Sequence, residues 1–226
     1  SSPLPSPPGL ISILELYTSL QPNSHTPLLI IGPLALQQWL RSASAALHTA
    51  ITYRFVHCQV ASNSPVVGGA LRRCGFEMLK TCPVMHCYDA WAVGLQHSDG
   101  WSLLYSGDTR PCDALVRLGN SMRPGGRILI HEATFDDSRD MRKEAEKKRH
   151  STVGEALDVG AHMNAWRIIL THFSQRYPKL TDLRNTSGSG DHRALIAFDQ
   201  MTIPFELLPS LPRLTPALLC LFSHEM

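Results

Sequence analysis

Three apolar runs in this chain stop abruptly at polar residues, and they constrain its fold more than any other feature. They read Leu103-Leu104-Tyr105-Ser106-Gly107-Asp108, Ile128-Leu129-Ile130-His131-Glu132 and Ile168-Ile169-Leu170-Thr171-His172. Aliphatic runs this short, ended by turn-forming or polar residues, read as strands. Ligand and catalytic groups gather at strand ends, because the sheet holds them rigidly while the loops leave them open. Taken singly, an Asp after Gly reads as a turn residue and a strand-end His as a satisfied polar group. An Asp, a Glu and two His at three such ends have the composition of a hydrolytic metal centre.

The remaining segments frame these runs. Residues 1–8 hold four prolines and three serines and read as an extended segment, leaving 9–226 as the folded domain. Helices are expected over 10–20, 34–47, 111–118 (Pro at its first turn, Gly119 at its end), 139–149 and 151–162, the last opening on Ser/Thr with Glu155 in its early turns. Strands are expected over 27–31, 52–60, 76–84, 90–97, 101–106, 127–131, 167–171 and 194–203, with Ser98-Asp99-Gly100 as a hairpin turn. Residues 62–69 read as loop, 71–74 as a short turn and 185–191 as a Ser/Gly loop. Grouped strands followed by alternating strands and helices suggest a layered α/β domain.

Composition excludes several classes. With 21 Lys/Arg against 19 Asp/Glu the net charge is only +2, which argues against a basic nucleic-acid coat or an acidic tail protein. No stretch approaches the ~20 apolar residues that cross a bilayer, so no membrane association is expected. Six cysteines without a C-x-x-C pair read as free thiols rather than as a zinc ribbon or disulfide scaffold. Asn185-Thr186-Ser187 matches a glycosylation sequon, a tripeptide frequent by chance. The helix over 139–149 carries six Lys/Arg against three Asp/Glu and reads as a solvated face, with a phosphate contact as the functional alternative. Tyr88, Trp91 and Trp101 read as core strand residues rather than base-stacking platforms.

A set of short words then occurs in order: Val84-Met85-His86-Cys87, Ser106-Gly107-Asp108-Thr109-Arg110-Pro111, His131-Glu132-Ala133-Thr134, His150-Ser151-Thr152 and Leu170-Thr171-His172-Phe173-Ser174-Gln175-Arg176-Tyr177. Together they resemble the carboxyl-terminal half of the long form of ribonuclease Z, from about Gly9 to Leu221, and the tail is most similar to fungal members. The resemblance implies an αββα metallo-β-lactamase sandwich, incomplete at its amino-terminal side. It implies zinc-dependent endonucleolytic removal of precursor tRNA 3′ trailers, in the nucleus or mitochondrion. It implies that His86 is a ligand of a first zinc, that Asp108 bridges two zincs and that His172 is a ligand of the second. Glu132 and His150 match the pair that passes a proton to the leaving 3′ oxygen. A carboxylate suits a bridge because it has two oxygens, and an imidazole that titrates near neutrality suits a general acid.

The family's principal metal motif, His-x-His-x-Asp-His, does not occur in this sequence. The eleven histidines stand at 25, 48, 57, 86, 97, 131, 150, 162, 172, 192 and 224, and no two are separated by a single residue. Asp191-His192 is the only Asp-His pair and reads as a decoy in a loop. Counting Asp108 twice, the chain gives each zinc two protein ligands, where catalytic zinc takes three and a water. By itself the chain is therefore expected to have little or no nuclease activity. The alternative is a scaffold or RNA-binding pseudo-enzyme that keeps the fold without the chemistry.

Overall fold

A computed structural model describes residues 8–20, 27–46, 53–174, 193–214 and 217. The chain divides into two compact units, residues up to Ala70 and residues from Leu71 onward.

In the first unit, helix α1 (Pro8–Leu20) opens on proline, whose missing N–H costs nothing at a helix start. Strands β1 (Leu28–Gly32) and β2 (Tyr53–His57) pair in parallel across helix α2 (Leu34–Ala46). Leu14, Ile30 and Leu40 form their buried core. The strand expected over 52–60 ends at His57, whose Nδ1 accepts from the Gln59 N–H and caps the short helix α3 (Cys58–Ala61). The loop expected over 62–69 holds only to Ser64, and helix α4 (Pro65–Arg73) replaces the rest of it and most of the turn expected over 71–74; Ser64 starts the helix, its Oγ accepting from the Val67 N–H at 3.5 Å. The adjacent glycines 68 and 69, each poor helix formers, hide this helix from a propensity reading.

The second unit is built on a six-stranded sheet in the order of the chain: β3 (Phe76–Pro83), β4 (Trp91–His97), β5 (Ser102–Tyr105), β6 (Arg127–Glu132), β7 (Arg167–Thr171) and β8 (Ala194–Ile196). β3, β4 and β5 are antiparallel, and β5 through β8 run parallel. The parallel strands read as continuous aliphatic runs because both of their faces are covered. Leu104, Leu129, Ile168, Leu170 and Ile196 face helices α5 (Asp113–Asn120) and α7 (Val153–His162). The alternate residues Ile128, Ile169 and Leu195 meet Leu208 and Leu211 on the other face. The expected strand over 194–203 is only three residues long, and the segment after it turns into short 3-10 helices.

Helix α5 starts two residues later than expected, with Cys112 as its N-cap, and Gly119 lies inside it, buried against Met163. Helix α6 (Arg139–Lys148) ends at Arg149, which adopts the left-handed conformation at φ 59°. Helix α7 begins with a capping box: Thr152 Oγ1 accepts from the Glu155 N–H and the Glu155 carboxylate accepts from the Thr152 N–H. Gly160 of α7 lies so close to β7 that a Cβ there would collide with the Ile168 side chain. Gly160→Ala is expected to lower stability by about 1–3 kcal/mol through overpacking, read as a reduced urea midpoint at unchanged m-value.

Candidate metal and proton-transfer site

Because β5, β6 and β7 are parallel neighbours, their carboxyl ends lie along one edge of the sheet. Each of the three polar words follows one of these ends, so separations of 24 to 40 residues in sequence become neighbours in space. Two further loops reach the same edge. Met85 and Arg110 form an isolated bridge, with the Arg110 N–H donating to Met85 O at 2.9 Å, which brings His86 alongside Asp108. Phe135 bridges Thr152, which brings the His150 segment in from the other side.

All five residues expected from the words meet here. His86 Nε2 lies 3.8 Å from Asp108 Oδ2 and His172 Nε2 lies 3.8 Å from Asp108 Oδ1, so each carboxylate oxygen faces a different imidazole. The second nitrogen of each ring is occupied. His86 Nδ1 donates to Arg149 O at 2.9 Å, and His172 Nδ1 donates to Thr134 Oγ1 at 2.9 Å. With Nδ1 engaged in this way, Nε2 is the ring atom presented to Asp108, which is how an outer hydrogen bond orients a histidine for a metal. Gly107 takes φ 61° between β5 and Asp108, and a Cβ there would come within 3.1 Å of Trp91 O. His172 also has positive φ, at 62°, turning the chain as it leaves β7.

His150 sits between the two flanking imidazoles, with ring centroids 4.7 Å from His86 and 5.4 Å from His172. Its Nδ1 donates to Glu132 Oε1 at 2.9 Å. Glu132 is buried and satisfied: Oε1 also accepts from the Thr109 N–H at 2.8 Å, and Oε2 accepts from the Thr134 hydroxyl at 2.6 Å. Burial pushes the Glu132 carboxyl up, but the bonds from His150 and Thr134, the His150 charge and the Thr109 N–H outweigh it and hold the group below the usual carboxylate range. Burial pushes His150 down, but the Glu132 bond and charge, with Asp108, outweigh it and hold the imidazole above its usual value. The pair is therefore a carboxylate and a ring that readily carries a proton. Neighbouring His131, fully buried on the opposite face of β6, is held neutral by desolvation against the opposing pull of the Glu132 carbonyl, to which its Nδ1 donates at 2.6 Å.

The donor set fits zinc in chemistry, with imidazole nitrogens around a carboxylate, and it forms two overlapping groups: His86, Asp108 and His150, and Glu132, His150 and His172. Thr134, Arg110 and Arg149 belong to the site although no role for them was read from sequence. Thr134 and Arg110 stand inside the quoted words, but apart from the bonds of Thr134 to Glu132 their side-chain partners lie 16 to 45 residues away. Tyr88 is a correction: it lies in a turn after His86 and is 94% exposed, not a core strand residue. Trp91 is half-buried at the start of β4, and Trp101, just outside β5, stacks on His97 at 4.7 Å. Asp191-His192, Cys220 and the sequon lie outside the described residues. Cys74, Cys82, Cys87 and Cys112 are free thiols, as expected, and burial, with Cys112 nearby, pushes Cys82 up to about 12.

Comparison with known proteins bears on this arrangement. No family model matches the chain. Zinc phosphodiesterase ELAC protein 2 from Macaca fascicularis is 38% identical over 96% of this chain and 27% of its own length. Ribonuclease Z, mitochondrial, from Drosophila melanogaster is 36% identical over 96% of this chain and 28% of its own length. The solved long form RNase Z from yeast superposes with a TM-score of 0.77 at 25% identity, over 93% of this chain and 32% of that one. The chain is a homologue of the ribonuclease Z proteins. It spans about a quarter of the length of these curated relatives. A metallo-beta-lactamase fold protein from Bacillus subtilis matches with a TM-score of 0.58 at 16% identity, over 83% of this chain and 70% of that one. The ribonuclease Z homologue thus has the metallo-β-lactamase fold expected from its words. Among its described residues no helix is long and apolar enough to cross a membrane.

Proposed function

We propose that this chain supplies the bridging and proton-donating half of a zinc-dependent endonuclease site that removes 3′ trailers from precursor tRNA, in the mitochondrion or nucleus. The observation that carries this reading is Asp108, whose two oxygens each lie 3.8 Å from the Nε2 of a different imidazole. His86 and Asp108 would hold one zinc, and His172 and Asp108 the other. Zinc, when bound, supplies positive charge to a phosphodiester and lowers the pKa of a water.

The chain's own residues account for the rest. The oxygen leaving a scissile phosphodiester needs a proton, and His150 carries one in a position fixed by Glu132. Glu132 stays ionised, so it orients the imidazole and stabilises its charged form without competing as the donor. The exposed Lys and Arg residues of α6, which leads directly into His150, would contact backbone phosphates on either side of the cleavage point.

A second reading, a pseudo-enzyme that retains the fold, is favoured by one observation: no His-x-His-x-Asp-His occurs in the 226 residues, leaving two protein ligands for each metal. Elemental analysis of the purified chain and cleavage of a 3′-extended precursor tRNA separate the two. The chain alone is expected to hold well under two zincs and to cleave poorly, and joining it to a segment that carries the motif is expected to restore both. Two zincs with full cleavage by the chain alone would overturn the claim that its ligand set is incomplete. Zinc loading without cleavage after the motif is supplied would establish the pseudo-enzyme.

A further inference from the structure

We propose that Arg110 is a positioning residue that fixes His150 over Asp108, an inference that rests on the reading of His150 as the proton donor. A cation two residues from Asp108 invites interpretation as a phosphate contact, but its surroundings assign it elsewhere. Its side chain is only 18% exposed, and three of its N–H donors are already committed. Nη1 donates to His150 O at 2.8 Å and to Glu155 Oε2 at 2.7 Å, and Nη2 donates to Glu155 Oε1. With its charge balanced by Glu155, little attraction remains for a phosphate.

The position of His150 depends on its backbone as much as on its ring. Arg149, immediately before it, takes the left-handed conformation that non-glycine residues adopt only when their surroundings require it. The His150 N–H is tied to Ala145 O at 2.9 Å, at the end of α6. The carbonyl is held from the other side by Arg110, and Glu155 anchors Arg110 to the first turn of α7, where it also closes the capping box. Next door, Ser151 Oγ donates to Thr109 O at 2.6 Å. The Arg110 N–H meanwhile bonds Met85 O, beside His86. One residue therefore joins the segments carrying His86, Asp108 and His150. The planar guanidinium can meet a carboxylate with two parallel donors and still offer a third N–H to a carbonyl, a geometry a lysine ammonium does not reproduce.

The test uses Arg110→Gln and Arg110→Lys in the 15N-labelled 226-residue chain, kept metal-free with a chelator. The readout is the imidazole N–H resonance that His150 donates to Glu132. The corresponding His131 N–H, donated to the Glu132 carbonyl inside the sheet, reports whether the fold survives. Both variants are expected to broaden or lose the His150 signal and keep that of His131. In the zinc-loaded protein supplied with the His-x-His-x-Asp-His segment, kcat should fall about 10- to 100-fold, with KM and zinc content little changed. Persistence of the His150 signal in both variants would overturn the proposal. So would joint loss of both signals in the lysine variant, which would make Arg110 a general structural residue. Should the zinc-loaded wild type fail to cleave, the functional reading falls, while the resonances still decide whether Arg110 positions His150.

Discussion

His150→Ala is expected to lower cleavage of a 3′-extended precursor tRNA by about 10²- to 10⁴-fold, the usual range for removing a general acid, in protein carrying a complete metal motif. Zinc content should hold, because His86 and His172 keep their own hydrogen bonds to Arg149 and Thr134 and still face Asp108. The loss should fall on kcat, since His150 is buried and contributes little to ground-state RNA contact. The same variant carries a signature in stability. The raised His150 contributes stability that is complete below about pH 6.5 and is lost as pH rises through its folded value. The depressed Glu132 contributes stability that is present above about pH 4.3 and is lost as pH falls through its folded value. Between these limits both groups are charged and paired. The difference in urea midpoint between wild type and His150→Ala should therefore be greatest from about pH 4.3 to 6.5 and shrink on either side. A difference independent of pH would mean that the ring acts only by packing.

Arg127→Leu is expected to be the most destabilising substitution in the unit that carries the site. Arg127 opens β6 and is buried, yet its bonds go to backbone: Nη1 donates to Met163 O at 2.7 Å and Nη2 to Met122 O at 3.0 Å. Met163 is the C-cap of α7, where the helix dipole concentrates negative potential and orphan carbonyls need donors, and Met122 lies two residues past the end of α5. A single side chain therefore caps α7 and holds the segment that leaves α5, the two helices that cover one face of the sheet. Leucine leaves two buried acceptors unsatisfied, at about 1–3 kcal/mol each. A loss of about 2–6 kcal/mol is a large share of the 5–15 kcal/mol typical of a folded protein. Chemical denaturation monitored by tryptophan fluorescence measures it, and a change under 1 kcal/mol would show that water replaces the guanidinium at both carbonyls.

The parts of the fold that were legible in sequence share one physical trait. β7 lies where its aliphatic run says it should, to the residue, and β6 differs by one, because strands covered on both faces leave no polar residue inside to blur their limits. Helix α7 was legible through its capping chemistry. Helix α4 was not, since paired glycines oppose the helix that Ser64 and Pro65 start. For the site, side-chain types at strand ends marked Asp108, Glu132 and His172, and the resemblance of the ordered words to ribonuclease Z added His86 and His150. What they could not carry was the second ring of contacts. The fork of Arg110 onto Glu155, the Thr134 hydroxyl shared by Glu132 and His172, and the exchange between His86 and Arg149 join residues up to 63 apart, and nothing local marks them. Tyr88 was misread because strand-like neighbours surround it, while the turn that exposes it depends on Asp89 at φ 62°.

The adjacency of His131 and Glu132 on β6 has a consequence for folding fidelity. Successive residues of a strand face opposite sides, so a slip of one residue against β5 or β7 would exchange these two. It would drive a carboxylate into the aliphatic layer under α5 and α7 and turn an imidazole toward His150. The four bonds that clasp the Glu132 carboxylate, from Thr109, His150 and twice from Thr134, then have no acceptor in the right place. The constellation read here as chemistry thus also fixes the register of β6 between its neighbours.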